Sequence, residues 1–468
     1  MSLRILLLPS VGSRSSWFVD SSFVVTFHWV KRWAGKAFVY YGFEFDLGEI
    51  PEEFQLPHVK FVSLNKPFQS LRQTQRSMDS DWVEFFDPLR GPMPADLILT
   101  TRTGCAGNIY LQFQYGSPAS GFVPVLPVEL MADGFFPESH ITEEPERVAS
   151  YLSRPTIVLT EAVRKGINKY LRPYLSSAQC AKVASSMKVQ SQGIDFEKID
   201  RVAEGVEKYE TMTLLIACRF NQWKDPRATL KIFSHAFKIG LDVSIHALSS
   251  TTSNLFFELQ AEFKEIEWIP RMAHEKYLEE CAKCHIILVM SGREAFPVGY
   301  FEQIATGNPG VFARRDWGEE ILGHDYPFFV NNEKEACACV KWIIRNYEEA
   351  REMMVPVVKR LRDRYDVRDC AEWYFNACVE AAENSSFPLT RREDDILALL
   401  KGAFPTDEFS LKDACALIYK EFNWTADPGL MGRGLPPICM RDIYVFLKGH
   451  FTDTLEEVPF FKGRIEDA

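Results

Sequence analysis

Residues 285–313 read HIILVMSGREAFPVGYFEQIATGNPGVFA. The apolar run 285–291 predicts a strand. A helical pattern follows over 294–306, Gly307-Asn308-Pro309 predicts a tight turn, and 310–313 predicts a second strand. Strand, helix and strand in that order predict a parallel pair. The same alternation precedes it. TMTLLIA at 211–217 reads as a strand, 228–238 as a helix, and 243–248 and 265–269 as further strands.

Upstream, apolar runs at 4–9, 37–41, 59–64, 96–100, 123–128 and 157–160 alternate with helical patterns such as 21–33 and 161–174. The chain therefore predicts two α/β units in series, each a parallel sheet covered by helices. The polar, turn-like stretch 195–210 is the expected break. Residues 333–384 read as helix. Beyond 385 the composition changes. Thr390 with Glu393 and Ser410 with Asp413 look like helix N-caps, and 424–437 carries Gly and Pro and reads as a loop. The expected domains are 1–200, 201–385 and an appended module, 386–468, whose short helices and final stretch look winged-helix-like.

The 468 residues are 46% hydrophobic and 25% charged, which fits a globular chain and excludes a coiled coil, a collagen or a largely disordered polymer. Lys+Arg number 53 and Asp+Glu 64, for a net charge of −11. A binder of nucleic acid through a globally basic surface is thus not expected. Eleven cysteines without a small-domain disulfide spacing read as reduced cytosolic thiols. The opening MSLRILLLPSVGSRSS is too short in its apolar part for a secretory signal, and no stretch matches a membrane span. A cytoplasmic protein without stable membrane insertion is expected; oligomeric state stays open.

Open α/β sheets bind ligands at the carboxyl ends of their strands. Three loops of the second unit hold the candidate chemistry. After 211–217 comes CRFNQWKDP, with Arg219 and Lys224 leading into a helix. Two cations at a helix N-terminus make a diphosphate clamp; a solvated basic loop beside Asp225 is the alternative. After 285–291 come Glu294 and Glu302, eight positions apart. A fully helical segment would set both on one side. Ala295, Phe296, Pro297 and Val298 form the loop-to-helix junction, where the non-proline residues offer backbone N–H groups and proline suits a first turn. The alternative is one surface carboxylate and one capping carboxylate. The third loop is Gly307-Asn308-Pro309, whose main role is a turn. Trp317-Gly318-Glu319-Glu320 follows the next strand and is placed at the cleft rim.

The order Arg-x4-Lys, Glu-x7-Glu, Gly-x-Pro and strand resembles the nucleotide-sugar domain of retaining glycosyltransferases with the GT-B fold, in particular glycosyltransferase family 4. The matching residues are Arg219, Lys224, Ser291, Glu294, Phe296, Glu302, Ala305, Gly307 and Pro309. The likeness spans roughly 205–385. It is fainter in the first unit, where IVLTEAVRKGINKYL and QSQGID carry it. Cys218 stands where the family has Gly, and the opening loop is only Ser10-Val11-Gly12-Ser13.

The resemblance implies a hexosyl- or pentosyltransferase that moves sugar from a nucleotide-diphosphate sugar, a UDP-sugar foremost, to an acceptor hydroxyl with retention. Arg219 and Lys224 would neutralise the leaving diphosphate, Glu294 would bind the transferred sugar, and Glu302 the ribose. Gly12 and the backbone at Phe296, Pro297 and Val298 would line the donor. No metal is expected. Base selection would fall to backbone near 268–272.

The acceptor side is less legible. Asp133 in ELMADGFF lies past a strand and is the candidate catalytic polar group there, with His140 nearby. Residues 161–190 carry six Lys+Arg against one acid, which is a solvated face or a site for a phosphate-rich acceptor. A winged-helix-like module suggests DNA modification, with a hydroxymethylated base as acceptor, as in phage enzymes of GT-B fold. Residues 389–468 nevertheless hold ten Lys+Arg against fourteen Asp+Glu, which is unusual for a phosphate binder. A glycan or small-molecule acceptor and a catalytically inactive GT-B scaffold are the other readings. Cys281 and Cys284, with His285, have half of a zinc pattern and read as core thiols.

Overall fold

The computed structural model describes residues 3–9, 17, 21–43, 47–63, 97–101, 125–129, 151, 156–220, 224–249, 254–269, 272–292, 294–385, 400–403 and 417. Gly12, Asp133, His140, the caps at Thr390 and Ser410 and nearly all of the module 386–468 lie outside them.

The first unit is built from β1 (Leu3–Leu8), α1 (Ser21–Lys31), β2 (Ala37–Phe43), β3 (Val59–Ser63), β4 (Leu97–Thr100), β5 (Val125–Glu129), β6 (Ile157–Val158), α2 (Glu161–Leu171), α3 (Ser177–Ser186) and β7 (Lys188–Val189). Among the described residues its sheet runs β3-β2-β1-β4-β5-β6-β7, all parallel. Helix α4 (Phe196–Ala203) then leads to β8 (Met212–Ala217), α5 (Pro226–Lys238), β9 (Val243–Leu248), α6 (Asn254–Glu262), β10 (Glu267–Ile269), α7 (His274–Lys283), β11 (Ile286–Val289), α8 (Val298–Ala305), β12 (Gly310–Ala313), α9 (Asp316–Leu322) and β13 (Phe329–Val330). The second sheet runs β10-β9-β8-β11-β12-β13, again parallel. Its central strands are mostly apolar and buried along almost their whole length, as IILV in β11 and MTLLIA in β8 show. Strands covered on both faces have that composition. The expected pair of parallel α/β sheets is what the chain forms.

The helical region 333–384 is three helices, α10 (Glu333–Arg345), α11 (Tyr347–Tyr365) and α12 (Val367–Ser385). The last does not stay with the second sheet. Its Ala371, Tyr374, Ala377 and Cys378 share a core with β1 and α1. The indole N–H of Trp33 donates to the Ala371 carbonyl at 2.9 Å. The Trp29 ring stacks on Tyr374 at 3.8 Å between centroids, and its N–H donates to the Gln192 carbonyl at 2.7 Å.

The chain makes this return beside Gly193. Ile194 N–H donates to Tyr365 O at 2.8 Å, and Val367 N–H donates to Ile194 O at 3.0 Å. Gly193 sits at φ +85°, and a Cβ there would stand 2.7 Å from Val367 Cα. Both facts require glycine. A second tie joins the units. The Glu320 carboxylate accepts the N–H groups of Glu161 at 2.6 Å and Ala162 at 3.0 Å, which caps the first turn of α2 from α9 and satisfies donors that a helix end leaves open.

Candidate functional site

Strand order reverses between β8 and β11, so the crevice outside their carboxyl ends is where a doubly wound sheet takes a ligand. The loops leaving those ends carry the residues singled out by spacing. Arg219 is half-buried just past β8. Lys224 precedes Asp225, whose carboxylate accepts Ala228 N–H at 3.3 Å and caps α5. Pro226 then opens the helix, where its missing N–H is harmless.

Lys224 and Glu294 meet. The ammonium lies 2.5 Å from both Glu294 carboxylate oxygens and 5.3 Å from the centre of the Tyr300 ring. Ser291, itself fully buried, donates its hydroxyl to Glu294 Oε1 at 2.6 Å. Cys218 lies beside this pair, and burial pushes its thiol up to about 12 against the pull of Lys224. It therefore stays protonated. The two residues expected on separate parts of a ligand are brought together by the crossing of the two loops.

The helix expected from 294 begins only at Val298, so Glu294 is a loop residue and the shared helical face does not exist. Pro297 is the reason: the residue before a proline avoids helical geometry. Pro297 takes φ −79°, ψ 80°, and Val298 N–H donates back to Phe296 O at 2.9 Å, an inverse γ-turn. Val298 thus does not offer the free N–H that its position suggested. Phe296 turns its ring into the core against Phe301 and Tyr365, leaving only its backbone towards the loop.

Glu302 is buried in the second turn of α8. One carboxylate oxygen lies 2.8 Å from His274 Nε2. Next to it Gln303, also buried, reaches Ala217 O at 3.4 Å, Gly299 O at 3.0 Å and the Tyr277 hydroxyl at 3.1 Å. It ties α8 to the end of β8. From the first unit, Gln192 Nε2 donates to Phe296 O at 2.9 Å and braces the junction across the cleft. Gln192, His274 and Gln303 have no motif spacing. The signal available was a polar pair, Glu302-Gln303, inside the otherwise apolar VGYFEQIA.

Gly307 ends α8 with φ +86°, donating to Ile304 O at 2.8 Å in a left-handed helix cap. Asn308 is fully buried. Its amide donates to Cys281 O at 2.7 Å and its oxygen accepts Lys208 at 2.5 Å. In the run 317–320, Trp317 is buried and Glu320 is engaged by α2. Trp268 packs its ring against Phe220 and Phe256. In the basic run 161–190, Arg164 pairs with Glu161 at 2.7 Å and Lys188 with Glu380 at 2.5 Å, so two of its cations are already engaged.

Cys281 and Cys284 are buried, and burial holds both thiols well above the ordinary value. His285 takes a backbone N–H from Thr213 on Nδ1 at 3.0 Å, and burial lowers its pKa to about 4. Among the described residues, His246, Glu280 and Cys284 bring metal-ligating atoms within 4.8 Å of one another. Within the protein, the Glu280 oxygens are satisfied by His246 at 2.7 Å and by the Tyr209 hydroxyl at 2.7 Å.

No protein-family model matches the chain, and no curated protein matches its sequence. Solved structures match its fold. HepE of Anabaena, in complex with UDP-glucose, aligns over 80% of this chain and 99% of its own at 14% identity, with a TM-score of 0.60. Sucrose-phosphate synthase of Thermosynechococcus elongatus aligns over 80% and 98% at 14% identity and 0.60. A glycosyltransferase of Rickettsia africae aligns over 82% and 99% at 13% identity and 0.58. The fold is GT-B, two Rossmann-like sheets in series. Among the described residues no helix is long and apolar enough to cross a membrane.

Proposed function

We propose that the protein is a glycosyltransferase that takes its sugar from a nucleotide-diphosphate sugar bound at the β8 and β11 loops. One observation carries this reading: Lys224 and Glu294 leave neighbouring strand ends at the switch point and meet there, with Glu302 buried in the helix that follows. The fold likeness to HepE, which was crystallised with UDP-glucose, supports a UDP-sugar as the first donor to try.

In this reading the nucleotide ribose binds Glu302 and the diphosphate takes Arg219 and Lys224. Glu294, relieved of Lys224, binds hydroxyls of the transferred sugar. Transfer breaks the bond from the anomeric carbon to the diphosphate oxygen and forms one to the acceptor oxygen, whose hydroxyl proton passes to the departing diphosphate, with retained configuration. Negative charge grows on the diphosphate as it leaves, so fixed cations there lower the barrier most. Backbone groups of Phe296 and Pro297 shape the phosphate side, and Gly12 is assigned to the donor as well. Asp133 acts on the acceptor. The acceptor class is tested with glycans, small hydroxyl compounds and hydroxymethylated DNA in parallel.

The test is donor hydrolysis and transfer over a panel of UDP-, GDP-, ADP- and CDP-sugars. One nucleotide should be turned over, and Lys224→Ala should abolish turnover. Tight donor binding without turnover on any acceptor or on water would instead favour an inactive scaffold.

A further inference from the structure

The site has a residue without a role, His274. The inference rests on Glu302 as the ribose carboxylate. His274 opens α7, and its ring lies nearly parallel to that of Tyr277, 5.9 Å between centroids and 19° apart. Tyr277 is anchored to α8 by its hydroxyl, which donates to Gly299 O at 2.7 Å. The imidazole is thereby held over the same helix that carries Glu302. Its Nε2 meets Glu302 Oε1 at 2.8 Å. A carboxylate oxygen accepts from the ring nitrogen it faces, so Nε2 is the donor of this bond. Nδ1 is buried and has no hydrogen-bond partner among the described residues. A buried, unsatisfied nitrogen burdens the fold, and an apolar ring would stack on Tyr277 without it. The benefit of an imidazole here is therefore the bond to Glu302.

That bond has a specific consequence. The last torsion of a glutamate is broad and roughly two-fold, so an unheld carboxylate presents its oxygens over a range of angles. A ribose diol needs two acceptors at a fixed angle. With Oε1 fixed by His274, the carboxylate plane is set, and Oε2 together with the remaining lone pair of Oε1 is available to the diol. We propose that His274 is the positioning residue that gives the donor site its preference for ribonucleotides over 2′-deoxyribonucleotides.

The experiment is calorimetric titration of the full chain with UDP and with 2′-deoxy-UDP, alongside donor KM and kcat. The wild type should prefer UDP by roughly tenfold or more, the range of one hydrogen bond to a charged group. His274→Ala should weaken UDP by about tenfold and 2′-deoxy-UDP hardly at all, bringing the ratio near one, and should raise donor KM with kcat held within about twofold. His274→Gln, whose amide can donate in place of Nε2, should recover most of the ratio. If His274→Ala is too unstable to assay, His274→Phe keeps the stack without the donor and should behave as the alanine would. A variant that lacks the donor yet keeps the wild-type ratio overturns the inference, provided Glu302→Ala loses it. If the wild type binds neither nucleotide, or Glu302→Ala keeps the ratio, the donor-site reading falls and this inference with it.

Discussion

Replacing Gly193 by alanine tests the contact through which the chain returns to its first sheet. Two effects add. Gly193 has φ +85°, where an L-residue costs about 1–2 kcal/mol. The new Cβ would also stand 2.7 Å from Val367 Cα and 3.0 Å from Cys370 Cβ. The first of these is backbone, held by the bonds between Ile194, Tyr365 and Val367, so it cannot swing aside. Overpacking of this kind costs about 1–3 kcal/mol, for roughly 2–5 kcal/mol in all. Gly205 supplies the control. It has φ +72° with nothing within 4 Å, so Gly205→Ala carries the first effect alone. The assay is thermal unfolding of both variants followed by tryptophan fluorescence, since Trp29 and Trp33 are fully buried against this contact. At about 2–4 °C per kcal/mol, Gly193→Ala should lower the midpoint by on the order of 10 °C and Gly205→Ala by a few degrees. Equal shifts would refute the close approach of the two segments.

Other consequences follow from the same geometry. Glu294→Gln removes the carboxylate that holds Lys224; UDP should bind at least as tightly, while transfer falls by on the order of a hundredfold, as steady-state rates would show. Glu320→Ala strips α2 of its cap from the second unit and should cost about 1 kcal/mol, visible as a midpoint shift of a few degrees. Lys208 is drawn down by burial from the ordinary lysine value of 10.5 to about 8. The unfolded chain therefore binds more protons between those values, and stability should rise with pH across that window. Lys208→Met should flatten that rise in unfolding curves taken at pH 8 and pH 10.

Much of the fold was legible because a strand buried on both faces is dominated by apolar residues, as in IILV and in LLIA at the end of β8. Strands β7 and β13, two residues each, are too short for any pattern. The return of α12 was not legible either, since an amphipathic helix carries no mark of which sheet it covers. In the site, spacing singled out Lys224, Glu294 and Glu302; that the first two meet is a feature of the fold that spacing did not indicate. A helical pattern read from 294 starts four residues early, because Pro297 delays the helix to Val298 and leaves Glu294 in the loop before the junction. Val298 was assigned a free N–H for the same reason, as the γ-turn depends on backbone angles that spacing does not encode. His274, Gln192 and Gln303 each act through hydrogen bonds to segments distant in sequence, to Glu302, Phe296 and Ala217 respectively, and no local spacing records those. The residues read for the acceptor side, Asp133 and His140, and Gly12, read for the donor, lie outside the described residues.

The central claim is that a nucleotide sugar binds at the β8 and β11 loops. Titrating UDP-glucose, then other nucleotide sugars, against the wild type and Glu302→Ala during thermal unfolding tests it directly. A ligand of the native state present at a hundred times its Kd stabilises by about 2.7 kcal/mol, a rise of roughly 5–10 °C. The account predicts that rise for one nucleotide in the wild type and its loss in Glu302→Ala. A folded wild type that no nucleotide sugar stabilises, or a rise of equal size in Glu302→Ala, would contradict it.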